Sequence, residues 1–165
     1  MQVLYLFSMK YSSHQKFMIN NSAIADNIFV PTQEIIFIDS QVEDYQILAQ
    51  GVLPGIEIVV LRSDRDGIEQ ITAVLNCKND LTAIHIVSHG SPGCLYLGNA
   101  QLSLDTLDKY QQELQVWNSL TLLIYGCNVA EGDAGAEFIA KLHCLTGAEI
   151  AASSCPNLLC SWPRN

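Results

Sequence analysis

A chain of 165 residues has the size of one ordinary domain and can bury a core without disulfides or metals as staples. At 49% hydrophobic and 15% charged residues it is too apolar for a disordered segment, yet no apolar run approaches the roughly 20 residues that span a bilayer. Eight basic residues against seventeen acidic ones give a net charge of -9, and the few Lys and Arg are scattered, so neither a nucleic-acid partner nor membrane insertion is expected.

Residues 1-34 mix polar residues with isolated apolar ones such as Ile24 and Ile28, and Pro31 separates them from the first long apolar run, so they read as a poorly ordered leader. The apolar stretch from Val3 to Phe7 has no basic cluster before it and no small-residue cleavage pattern after it. No standard signal peptide is visible, which leaves the compartment open with the cytoplasm as default.

From residue 35 on, apolar runs alternate with amphipathic stretches, the pattern of βαβ units wound into a mainly parallel sheet. The runs are Ile35-Ile38, Ile56-Leu61, Ala83-Ser88, Leu120-Tyr125 and Ala148-Ala152. Nearly every residue in them is apolar, so the strands should be covered on both faces by helices, giving an α/β three-layer sandwich. Ser40 with Glu43, and Asp66 with Glu69, have capping-box spacing for the first two helices. Ile68, Ile71 and Leu75 form the inward stripe of the second. Ser103 is the expected cap of a third helix whose inner side carries Leu104, Leu107, Leu114 and Trp117. A fourth helix should start near Gly132, bury Ala134, Phe138, Leu142 and Leu145, and stop at Gly147. The segment Cys94-Leu102 reads as a hairpin turning at Gly98-Asn99. The domain thus covers residues 35-154, and residues 155-165 (CPNLLCSWPRN) read as an irregular tail.

An open parallel sheet builds its sites at the carboxyl ends of its strands. Three of those ends carry reactive groups: Asp39, then Ser88-His89-Gly90, then Gly126-Cys127-Asn128. A thiol becomes nucleophilic near neutral pH beside an imidazole and before a helix N-terminus, and Cys127 meets both conditions if its strand neighbours that of His89. The N-H groups of Gly90 and Cys127 are the expected oxyanion donors. Ser88, Asn128 and Asp39 are expected to line the pocket. For Asp39 the simpler reading is helix capping beside Ser40; the other is orienting His89 or meeting a basic substrate side chain.

Other chemistries fit less well. Asp64 and Asp66 are too few oxygens for calcium, and four residues of strand hold His85 and His89 about 13 Å apart, too far for one shared metal ion. His85 reads as a core residue, and no metal or cofactor is expected. There is no G-x-S-x-G elbow, phosphate loop or G-x-G-x-x-G fingerprint. The six cysteines, at 77, 94, 127, 144, 155 and 160, lack CxxC pairs and read as free thiols.

The segments AIHIVSHGSPGCLYLGN and LLIYGCNVAEGDAGAEF, with IFIDSQVEDYQILAQGV and VVLRSDRDGIEQI before them, are similar to a bacterial family of domains of unknown function. Its members stand near the N-termini of very large, repeat-rich surface or adhesin-like proteins. The strand closed by His-Gly beside a strand closed by a small residue and Cys also resembles the caspase, gingipain and separase group of cysteine peptidases. That resemblance implies a caspase-like fold, with His89 as general base or acid and Cys127 as nucleophile on a polypeptide substrate. It implies export for longer relatives, and next to them the tail of this chain reads as truncated. The expected function is a cysteine peptidase or self-processing domain; the alternative is a non-catalytic, adhesin-associated interaction module of the same fold.

Overall fold

The computed structural model describes residues 33–118 and 121–154. Most of the expected leader, the whole expected tail and Leu120 lie outside the described residues.

The five apolar runs become five parallel strands: β1 (Glu34–Asp39), β2 (Glu57–Leu61), β3 (Ala83–Val87), β7 (Thr121–Tyr125) and β8 (Glu149–Ala152), in the order β2-β1-β3-β7-β8. This order puts β1, β3 and β7 at the centre of the sheet, where only apolar side chains are cheap to bury on both faces. The hairpin expected after β3 is a three-stranded antiparallel sheet of β4 (His89–Ser91), β5 (Cys94–Leu97) and β6 (Ala100–Ser103). β4 escapes a sequence reading because it is polar and only three residues long. The chain therefore switches from one sheet to the other between Val87 and His89.

The helices are α1 (Tyr45–Gln50), α2 (Gly67–Leu75), α3 (Gln111–Val116) and α4 (Gly132–Thr146), with a 3-10 turn at Leu107–Tyr110 running into α3. One face of the sheet (Ile35, Phe37, Ile84, Ile86, Leu122 and Ile124) joins Ile68 and Ile71 of α2, Leu114 of α3 with Trp117, and Phe138 and Leu142 of α4 in one buried cluster. The opposite face, with Ile36, Ile38 and Val87, meets Val42, Ile56 and the partly buried Tyr45 and Leu48. The two helical layers are unequal: α1 has six residues and buries none of them fully.

Local capping explains where the helices start. Asp66 accepts from the N-H groups of Ile68 and Glu69, as its position predicts. Ser40 and Glu43 do not cap α1, whose N-cap is Asp44 in a left-handed conformation without a side-chain bond. Ser103 caps nothing either; its N-H donates to Thr106 Oγ1, a turn that delays α3 to Gln111. In α4, Phe138 and Leu142 point inward as expected, whereas Ala134 is exposed and Gly135 takes the buried position. Gly147 ends α4 at φ 67, and its N-H donates to the His143 carbonyl.

Candidate active site

β3 and β7 are direct neighbours, paired through Val87 opposite Tyr125, and the Ser88 N-H donates to the Tyr125 carbonyl one step further. His89 and Cys127 follow the carboxyl ends of these two adjacent strands, His89 after the chain has passed into the antiparallel sheet. The two backbones also touch: a Cβ on Gly90 would lie 3.1 Å from the Cys127 carbonyl oxygen, and one on Gly126 would lie 3.7 Å from the Gly90 Cα. The segments that follow β3 and β7 thus come into backbone contact at Gly90, Gly126 and Cys127.

His89 is exposed, and its Nε2 lies 3.0 Å from the Gln41 carbonyl oxygen. A carbonyl only accepts, so Nε2 carries the ring proton and Nδ1 keeps its lone pair in the neutral imidazole. Gln41 stands just past β1, where the Asp39 carboxylate accepts its N-H at 2.8 Å. The other Asp39 oxygen accepts from the Gly98 N-H in the hairpin turn, and the Gln41 side chain closes the figure by donating to the Gly98 carbonyl at 2.7 Å. Asp39 neither caps α1 nor touches His89; it binds the loop that does.

Cys127 is partly buried and opens the turn that leads into α4. Asn128 follows at φ 59, a left-handed conformation uncommon outside glycine, and its Oδ1 is buried without a hydrogen-bond partner. Ser88 is buried and its hydroxyl donates to the His89 carbonyl, so it supports the turn. Gly90 and Gly126 both press on the buried Val129, whose Cγ2 stands where either Cβ would go. That packing demands glycine at both positions.

The remaining candidates separate cleanly. His85 is fully buried, with Nδ1 3.1 Å from the Tyr125 hydroxyl and Nε2 3.0 Å from Glu34 Oε2, the core role its position predicts. Asp64 is exposed and paired to Arg62, which holds its carboxyl below the usual range by a side-chain hydrogen bond. Among the described residues, no group of three His, Cys, Asp or Glu side chains is placed to hold a metal ion, and no helix is long and apolar enough to cross a membrane. Gln41 and Gly98 are the site residues that sequence reasoning misses. Gln41 acts through its backbone carbonyl, which no residue type signals.

A family model described as Domain of unknown function (DUF4347) matches residues 35–157 of the chain. No curated protein matches it.

Proposed function

We propose that this chain, which belongs to the family described as Domain of unknown function (DUF4347), is a caspase-like cysteine peptidase or self-processing domain with His89 and Cys127 as its dyad. The observation that carries this reading is the bond from His89 Nε2 to the Gln41 carbonyl, which leaves Nδ1 as the proton acceptor of the neutral ring, on a segment that follows the strand next to that of Cys127. In the mechanism, Nδ1 takes the Sγ proton and the thiolate attacks a peptide carbonyl carbon. The N-H groups of Gly90 and Cys127 stabilise the oxyanion. The imidazolium then protonates the departing amine as the C-N bond breaks, and water hydrolyses the thioester to regenerate the thiol. No cofactor enters these steps.

The test is the rate of iodoacetamide labelling at each cysteine against pH, resolved by peptide mass spectrometry, in the native protein and in His89→Ala. Activation predicts that Cys127 labels fast below about pH 7 and that His89→Ala slows it by about tenfold or more. Equal, ordinary labelling of Cys127 in both proteins would overturn the reading.

One observation favours the second reading, an interaction module without catalysis. The packing of Val129 accounts for Gly90 and Gly126 without any oxyanion. Such a module has no need of a thiolate, so the same labelling experiment separates the two.

A further inference from the structure

Asp39 is a carboxylate only 1% exposed at the end of the central strand β1. Burying a carboxylate costs several kcal/mol unless its oxygens are fully engaged, and a neutral residue would end the strand more cheaply. Both oxygens are engaged, and on backbone donors of two different loops: Gln41 N-H after β1 and Gly98 N-H between β5 and β6. The second partner is 59 residues away in sequence, so the carboxylate ties together segments that local folding does not. The hairpin turn is itself anchored on its far side, where the Asn99 N-H donates to the Arg65 carbonyl and a Cβ on Gly98 would collide with the carbonyl oxygens of Arg65 and Arg62. Gly98 is therefore a fixed point, and Asp39 transfers that fixity to Gln41. The group presented by Gln41 to the crevice is its carbonyl, and what reaches it is His89 Nε2.

We infer that Asp39 is a positioning residue for His89, acting through Gln41 and Gly98 to hold the carbonyl that orients the imidazole. The inference rests on the dyad reading and extends it. Asp39 touches neither the thiol nor the imidazole, so its effect is on geometry; a misplacement of about 1 Å at a reacting group costs on the order of a hundredfold in rate. The His89 ring is exposed, and the Gln41 carbonyl holds it at Nε2.

The experiment compares the pH profile of Cys127 alkylation in the full chain, in Asp39→Asn and in Gln41→Ala, with thermal unfolding of each as the control for folding. Asn has nearly the shape of Asp but turns an NH2 toward one of the two N-H donors, so that bond is lost. The expected result is an upward displacement of the Asp39→Asn profile by about one pH unit, hence about tenfold slower labelling below neutrality, in a protein that still unfolds cooperatively. Gln41→Ala removes only the exposed side chain's bond to Gly98, and should move the profile the same way by less. If Asp39→Asn does not fold, Gln41→Ala decides alone. A folded variant with the native profile overturns the inference while leaving the dyad standing; a native protein with no activated Cys127 overturns the dyad and the inference together.

Discussion

β3 holds one histidine in its middle and releases another just past its end, and the two are treated in opposite ways. His85 is fully buried, stacked on the Tyr125 ring with centroids 5.8 Å apart, and both ring nitrogens have partners. His89 is exposed, and its ring is held through one nitrogen by a backbone carbonyl. The His85 ring is fixed by two side-chain partners inside the sheet, Tyr125 and Glu34. The His89 ring has a backbone carbonyl on Nε2 and lies open to solvent. The chemistry depends on the place where the strand stops, and four residues are enough to move from one regime to the other.

The strongest way to break this comparison is to remove each ring and measure stability by urea denaturation. His85→Ala loses a buried ring and two hydrogen bonds and should cost about 3 kcal/mol. Gly126→Ala comes next: its Cβ would stand 2.7 Å from Val129 Cγ2 and 3.1 Å from Leu95 Cδ2, both on fully buried residues, for an expected cost of about 2 kcal/mol. His89→Ala, at an exposed position, should fall within about 0.5 kcal/mol of the native protein. A destabilisation of His89→Ala as large as that of His85→Ala would show that His89 is structural and erase the contrast.

The apolar runs made the central sheet legible, because a strand buried on both faces permits almost nothing but Ile, Val, Leu and Ala; Ile35 to Ile38 and Ala83 to Val87 announce themselves. The same logic placed His89 and Cys127 just past the ends of β3 and β7, which are neighbours in the sheet. What stayed hidden depends on contacts between distant segments. Asp39 beside Ser40 suggests a cap, but the Gly98 N-H competes for the carboxylate and wins, and the helix starts later at Tyr45. The role of Gln41 lies in its backbone, and β4 is too short and polar to show a period. The unequal covering of the two sheet faces was equally invisible, since apolar runs record burial without recording what does the burying.

The smallest effect sharpens the contrast at the level of the thiols. Cys94 and Cys127 are both partly buried, and the backbone carbonyls of both approach the same glycine, Gly90. Burial pushes the Cys94 thiol up, against a weaker downward pull from hydrogen bonding to Tyr96 and Ser91. A raised thiol holds its proton to higher pH, so its thiolate fraction at any pH below that point is smaller and its alkylation slower. Cys94 should therefore label more slowly than the exposed Cys77 and Cys144 from neutral pH up to about pH 9, and the lag should shrink as the pH climbs through the Cys94 range and vanish in urea. Cys94 also has no histidine to lose, so His89→Ala should leave its rate unchanged while slowing Cys127. A parallel fall at both cysteines would mean that removing His89 had altered access to the whole carboxyl edge, and the slowing of Cys127 could then no longer be credited to a proton acceptor.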